Sequence, residues 1–220
     1  VFGSVASDSG VVNIYRRSAD GSGEIDRLLD GKNPRFPGSW SADGLRLALT
    51  EWSPDTMRDI WILTLNDEHQ TVPMISSPYD EHSPFFSPDG RWLAYVSDES
   101  GRPEIYVQSY PAGRGRWLVS TSGGTEPVWS ADGTELFYRS GDAMMAVPVR
   151  TEGEFAAGAP SMLFNKPLKR GIYDSPSYDV TADSQRFLMI ERDLESAPTQ
   201  VNVVLHWDQE LQRTVPVNHG

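Results

Sequence analysis

The residue types that most often do chemistry in proteins are sparse in this sequence and do not form a catalytic set. The four histidines are His69, His82, His206 and His219, and no two stand at the spacing of a zinc-binding helix. No Gly-x-Ser-x-Gly nucleophile motif occurs, and the chain has no cysteine, which removes thiolate catalysis and cysteine-ligated zinc. The sequence therefore predicts no catalytic residue, no metal ligand and no enzyme activity.

Composition and charge narrow the choice of partner. The 220 residues carry a formal net charge of −12. Such a surface repels the phosphate backbone of nucleic acids, so we expect no nucleic-acid partner. No apolar run approaches the roughly 20 residues that a membrane-spanning helix needs, which predicts no membrane span. The hydrophobic content of 38% is enough for a sizeable core, and we expect a folded domain with an acidic surface.

A short motif, Ser-x-Asp-Gly, recurs along the chain every 43–51 residues. The clear copies contain Asp43 and Gly44, Asp89 and Gly90, and Asp132 and Gly133, and a weaker copy reads Thr181-Ala182-Asp183-Ser184. Asp-Gly between hydrophobic runs predicts a hairpin turn, because glycine accepts a positive φ and aspartate bonds its own backbone. We therefore interpret these aspartates as turn formers. Ser184 lacks the freedom of glycine, so the fourth turn is expected to be built differently.

Four short hydrophobic runs follow one another in each repeat, which is the pattern of a β-propeller blade. In the second complete repeat the strands are expected at about 83–86, 91–97, 104–110 and 116–121. Along 91–97 both alternating faces are apolar, as in a blade packed between two neighbours. We predict an all-β propeller of four-stranded antiparallel blades with a short C-terminal helix. Its predicted parts are a partial blade at 1–30, complete blades at about 31–76, 77–121 and 122–165, a partial blade at 166–207 and a tail at 208–220.

Three complete and two partial blades leave three arrangements open. The chain is a fragment of a longer propeller, or its two ends share one blade, or two chains complete each other as a homo-oligomer through the incomplete blades.

The repeat signature resembles that of a known family. The runs W/F-S-P/A-D-G-x-x-L-A/F-Y and G-x-x-E/D-I-Y/W-V/I are similar to the WD40-like (PD40) repeats of the TolB β-propeller family. The stretch 185–216, through Asn202-Val203-Val204-Leu205-His206-Trp207, is similar to the end of the propeller that follows the kinase domain in some bacterial serine/threonine kinases. The chain itself has no kinase motifs. The resemblance implies a sensor or scaffold domain that binds proteins or ligands outside the cytoplasm, in the periplasm or at the cell surface.

Loops on a rigid scaffold usually carry the binding residues, so we expect the site on the face where the loops gather around the central channel. The predicted binding residues for a protein, a peptide or a small polar ligand are Arg35, Trp52, Tyr79, Glu81, His82, Glu126, Tyr173 and Asp174. Four of them, Arg35, His82, Glu126 and Asp174, are expected to ring the channel mouth at equivalent positions.

Three functions follow from these observations. The first is a non-catalytic binding or scaffold propeller, which needs no cofactor. The second is a lactonase-like hydrolase with Ca²⁺ held by carboxylates in the channel, which requires several oxygen ligands to converge on one ion. The third is a structural propeller completed by another chain.

Overall fold

The computed structural model describes residues 1–5, 10–66, 68–111, 115–167, 169 and 175–190. All regular elements within these residues are β-strands, which we number β1–β18 in chain order. The predicted strand at 200–207 and the predicted helix at 208–220 lie outside the described residues. No helix in the described part is long and apolar enough to cross a membrane.

The strands form five successive antiparallel sheets, here called blades 1–5. Blade 1 contains β1 (Phe2–Val5), β2 (Val12–Arg16) and β3 (Asp26–Arg27). Blade 2 contains β4 (Arg35–Trp40), β5 (Arg46–Ser53), β6 (Met57–Thr64) and β7 (Thr71–Ile75). Blade 3 contains β8 (His82–Phe86), β9 (Trp92–Ser97), β10 (Glu104–Ser109) and β11 (Arg116–Leu118). Blade 4 contains β12 (Thr125–Trp129), β13 (Glu135–Ser140), β14 (Ala143–Arg150), β15 (Ala156–Ala157) and β16 (Ser161–Asn165). Blade 5 contains β17 (Tyr178–Val180) and β18 (Phe187–Met189).

The first strands of blades 2, 3 and 4 lie beside one another. The backbone N–H of Phe86 in β8 donates to the hydroxyl of Ser39 in β4 at 2.7 Å. The indole N–H of Trp129 in β12 donates to the carbonyl oxygen of Phe85 in β8 at 3.0 Å. Each first strand also shows a register irregularity against its second strand. This side-by-side order of antiparallel sheets confirms the predicted propeller class.

Buried hydrophobic side chains pack between consecutive blades, because both faces of each inner strand are apolar. Along β9, Leu93 and Tyr95 join the cluster shared with blade 2, whereas Trp92, Ala94 and Val96 join the cluster shared with blade 4. The clusters between the other neighbouring blades include Ile14 with Leu47 and Leu49, and Phe137 with Tyr178. Every blade is therefore stabilised mainly by its neighbours.

The repeated turns share one hydrogen-bond pattern. In the Ser87 copy, the serine hydroxyl donates to Asp89 at 2.6 Å and accepts from the backbone N–H of Trp92 at 3.0 Å, and Gly90 has a φ of 69°. The Thr181 copy makes the same bonds: Thr181 donates to Asp183 and accepts from the Arg186 N–H at 3.1 Å. The expectation of a different fourth turn is wrong, because Ser184 adopts the glycine conformation with a φ of 58°.

Blade 1 differs from blades 2 and 3, because in the described part it has three strands and lacks a partner on the inner edge of β1. All four residues of β1 are exposed. A groove of about 520 Å³ lies against this edge, lined by Phe2, Val5, Val12, Phe36 and Pro37 among others. Blade 5 likewise presents two strands among the described residues.

Candidate functional site

In blades 2, 3 and 4, the loop before the first strand contacts the end of the second strand or the loop after it, and these segments form what we call the loop face. Two contacts between blades 2 and 3 define it. The backbone N–H of Glu81, in the loop before β8, donates to the carbonyl oxygen of Arg58 in β6 at 3.0 Å. The N–H of Asp80 donates to the carboxylate of Asp98, in the loop after β9, at 2.9 Å. The loop at 76–81 therefore bridges its two neighbours.

Two exposed aromatic residues adjoin the two members of an ion pair on the loop face, one across the β5–β6 hairpin and one along the chain. Trp52 lies opposite Arg58 in the β5–β6 hairpin. The Arg58 guanidinium donates to both carboxylate oxygens of Asp80, with Nε 2.6 Å from Oδ1. Tyr79 directly precedes Asp80 in the loop before β8. Trp52 is 55% exposed and Tyr79 is 44% exposed, whereas the side chains of the ion pair are 21% and 15% exposed.

The ion pair favours the ionised form of the Asp80 carboxyl group. Burial opposes ionisation of Asp80, but the hydrogen bonds and the charge of Arg58 outweigh it and lower the pKa of Asp80. A bidentate arginine–carboxylate pair of this kind also fixes geometry. The pair thus holds the loop at 76–81 against the β5–β6 hairpin.

Arg35 and His82 take part in separate local contacts. Arg35 Nε donates to Glu51 Oε2 at 2.6 Å, and Asn33 donates to the other oxygen of Glu51 at 3.2 Å. Glu51 precedes Trp52 in β5, so this second ion pair lies one residue from the exposed ring. His82 Nδ1 lies 2.8 Å from the Ser83 hydroxyl. Burial, reinforced by the charge of Arg58, lowers the pKa of His82 to about 3, so its imidazole is neutral at pH 7.

Glu81 is a fully buried carboxyl group at the start of blade 3. The Ser77 hydroxyl donates to its Oε1, while its Oε2 has no hydrogen-bond partner in the described part of the chain. Burial raises the pKa of Glu81, and the charges of Asp59, Glu99 and Asp98 raise it further against the effect of Ser77.

Glu126 connects blades 4 and 5. Its carboxylate accepts from the backbone N–H of Ser177 at 2.8 Å and from the Ser177 hydroxyl at 2.6 Å. Its carbonyl oxygen accepts from the Tyr178 hydroxyl at 2.8 Å. Tyr173 and Asp174 lie outside the described residues.

Three of the residues expected at equivalent positions around the channel mouth do not occupy equivalent positions. Arg35, His82 and Glu126 stand six, five and four residues before the serine of the next turn, so they occupy different positions on their strands. The structure brings Trp52, Tyr79, Glu81 and His82 around the Arg58–Asp80 pair. It places Arg35 beside Trp52 at the end of β5, and Glu126 at the joint between blades 4 and 5.

Sequence reasoning missed the carboxylates that begin the third strand of two blades. Asp59 precedes Ile60-Trp61 and Glu104 precedes Ile105-Tyr106. Glu104 accepts from the Ser120 hydroxyl, from the Gly123 N–H at 2.9 Å and from Arg102 Nε at 2.7 Å. The signal was the acidic residue repeated before Ile-Trp and Ile-Tyr, which marks contact with the loop leading to the next blade.

A metal centre finds no support within the described ranges. There, no group of three or more histidine, aspartate and glutamate side chains is placed to hold a metal ion. Asp80 binds Arg58 and Glu126 binds Ser177, so both already have partners.

Comparison with known proteins gives the family to which this propeller belongs. The TolB beta propeller domain family, PD40, matches residues 6–154, about two-thirds of the chain. The Tol-Pal system protein TolB of Alcanivorax borkumensis is 39% identical over 72 residues, which are 32% of this chain and 17% of that protein. The uncharacterized peptidase YuxL of Bacillus subtilis is 31% identical over 120 residues, which are 51% of this chain and 18% of that protein. The chain thus spans less than a fifth of these two relatives.

Solved structures show a similar fold. A putative TolB from Agrobacterium tumefaciens superposes with a TM-score of 0.68 at 19% identity, over 86% of this chain and 68% of that one. TolB from Acinetobacter baumannii superposes with a TM-score of 0.65 at 18% identity, over 89% of this chain and 47% of that one. The repeats, the blades and the family match agree, and the chain belongs to the TolB β-propeller family.

Proposed function

We propose that this chain is a non-catalytic binding domain whose loop face takes an extended peptide segment of a partner protein. The observation that carries the proposal is that two exposed aromatic residues adjoin the Arg58–Asp80 ion pair: Trp52 is the cross-strand partner of Arg58, and Tyr79 precedes Asp80. Aromatic side chains and arginine are the residues that most often dominate binding energy at protein interfaces. The ion pair beside them restrains the backbone that carries them before binding, which lowers the entropic cost of association.

The partner is expected to be apolar with basic residues. The rings supply apolar area, and the chain has a net charge of −12, which attracts cationic segments and repels acidic ones. In line with the family resemblance, we place this binding outside the cytoplasm, as a sensor or scaffold.

The test uses a displayed library of random peptides selected against the whole chain. Peptides that bind the loop face should lose at least about tenfold in affinity when Trp52→Ala or Tyr79→Ala removes a ring, which corresponds to the ~1.4 kcal/mol or more expected of an aromatic anchor. Both rings are exposed, so the Tm of each variant should stay within a few degrees of the original chain.

Leu45→Ala is the matched control. Leu45 is 53% exposed and follows the Asp43-Gly44 turn, which joins the first and second strands at the opposite end of blade 2. Its replacement should leave peptide affinity unchanged. Selected peptides that bind the Trp52 and Tyr79 variants as tightly as the original chain would refute the proposed site.

A further inference from the structure

Two buried carboxylates at the joint between blades 2 and 3 lack part of their hydrogen bonding. Glu81 is fully buried and Asp59 is 4% exposed. Asp59 Oδ2 accepts from the Thr56 hydroxyl at 2.6 Å, and Glu81 Oε1 accepts from Ser77. The second oxygen of each, Asp59 Oδ1 and Glu81 Oε2, has no hydrogen-bond partner among the described residues. Buried acceptors of this kind are costly, and each calls for an explanation.

The backbone places the two side chains at one joint. The N–H of Glu81 donates to the carbonyl oxygen of Arg58, and Asp59 is the next residue of that strand. The charge of Asp59 is the strongest of the neighbouring charges that act on Glu81. This charge opposes ionisation of Glu81, because like charges repel where water is excluded.

The joint between blades 3 and 4 shows what a complete arrangement looks like. Glu104, at the position equivalent to Asp59, fills its acceptors with Ser120, Gly123 and Arg102. The connection at 76–81 is one residue longer than the one at 120–124: Ser76 lies 11 residues before the turn serine Ser87, whereas Ser120 lies 10 residues before Ser130. It brings an additional acid, Glu81, where the other joint has backbone and hydroxyl donors.

No basic side chain of the described part forms an ion pair with either carboxylate. Arg58 is bound to Asp80 in the same loop, and Arg116 is bound to Glu99 at 2.6 Å. The other titratable groups around Glu81 are Asp98 and Glu99 after β9, Tyr95 in β9 and His82 in β8. On the other side of the joint, the buried Glu51 in β5 is the cross-strand partner of Asp59 and forms an ion pair with Arg35. Burial keeps both His82 and Tyr95 neutral at pH 7. A bound proton is the simplest way to relieve the repulsion between these acidic groups, because it removes the charge of one carboxylate and converts one oxygen without a partner into a hydroxyl donor.

We propose that Glu81 carries a proton at this joint, and that the loss of this proton to solvent loosens the loop at 76–81. The loop carries Tyr79, so the loop face would respond to pH. This last consequence rests on the proposed function, whereas the proton itself does not.

The sign of the effect follows from linkage. Because the pKa of Glu81 is higher in the folded chain than its ordinary value of 4.5, the folded chain binds this proton more tightly than the unfolded chain. The contribution of Glu81 to stability is complete below pH 4.5 and decreases as the pH rises through the folded pKa. Replacement by glutamine, which keeps a permanent N–H donor, should remove this dependence.

The experiment is a pH titration of the chain labelled with carbon-13 at the glutamate carboxyl groups and followed by NMR. One glutamate should titrate above pH 4.5 in the original chain and be absent in Glu81→Gln. In Asp59→Asn it should titrate at lower pH, because the amide can donate to Glu81. In Asp55→Asn, which removes an exposed carboxylate from the same face, it should be unchanged.

Amide hydrogen exchange of residues 76–81 supplies the second measurement. After correction for intrinsic exchange, protection should fall severalfold as this glutamate ionises, and Glu81→Gln should keep its protection over the same pH range. If all glutamates titrate at or below pH 4.5, the proton on Glu81 is refuted. If the glutamate titrates as expected but protection does not change, the loop response is refuted. Peptide affinity of the Trp52 and Tyr79 variants tests the proposed function separately.

Discussion

Single buried carboxylates decide how firmly the loops of this propeller are joined to the blades. Glu104 is 2% exposed and accepts hydrogen bonds from one hydroxyl, one backbone N–H and one guanidinium. These bonds outweigh the effect of burial and lower the pKa of Glu104. Asp59, at the equivalent position, accepts one hydrogen bond from Thr56. Acidic residues at the same strand position therefore contribute unequally to the two joints.

Glu104→Gln should lower the free energy of unfolding by about 1.5–3 kcal/mol, because an amide nitrogen replaces one accepting oxygen and the charge-assisted bonds are lost. Asp59→Asn should cost less than about 1 kcal/mol. Urea denaturation followed by tryptophan fluorescence measures both. Equal losses in the two variants would contradict the unequal roles derived from the hydrogen bonds.

At the scale of elements, the four turns share one geometry, although the fourth residue of the motif is glycine in three copies and serine in the last. Gly90 and Ser184 have φ values of 69° and 58°, a region that residues other than glycine enter at a cost of roughly 1–2 kcal/mol. Ser184→Gly should therefore raise the free energy of unfolding by about 0.5–1 kcal/mol. The reciprocal change Gly90→Ser should lower it by about 1 kcal/mol. Calorimetric Tm values measure both changes. A lowered Tm for Ser184→Gly would contradict the backbone strain inferred at Ser184.

The same elements show how far the sequence leads. The Asp-Gly turns and the alternation along β9 are local patterns, and the sequence predicts both because they depend on residues a few positions apart. The partners of Glu126 and Glu81 could not be predicted in this way. Ser177 is 51 residues from Glu126, and the environment of Glu81 depends on one additional residue in a loop between two blades. The repeated motif does not specify the loop lengths or the packing between blades, and these two features determine which side chains meet at the candidate site.

For the whole molecule, adjacent blades stabilise each other through the hydrophobic clusters between them. A titrating group at the joint between two blades should therefore affect the cooperative unfolding of both blades. His82 lies at the joint between blades 2 and 3, beside the Arg58–Asp80 pair. Among the described residues β1 has an unpaired edge, and such edges tend to pair with another chain. Homo-oligomer formation through the incomplete blades stays a prediction. Measurements of stability should therefore be compared at one protein concentration.

His82 should make the chain sensitive to mild acid. Its pKa is about 3 in the folded chain and near 6.5 when unfolded, so the unfolded chain binds the additional proton first. The stability contributed by the neutral imidazole is complete above pH 6.5 and decreases as the pH falls towards 3. Glu81 acts in the opposite direction above pH 4.5, so the comparison must be made between variants that differ at His82 alone. Between pH 7.5 and 4.5, the Tm of His82→Asn should decrease less than that of the original chain, because asparagine keeps a polar contact to Ser83 without titrating. Identical pH profiles for the two proteins would contradict a buried, neutral His82.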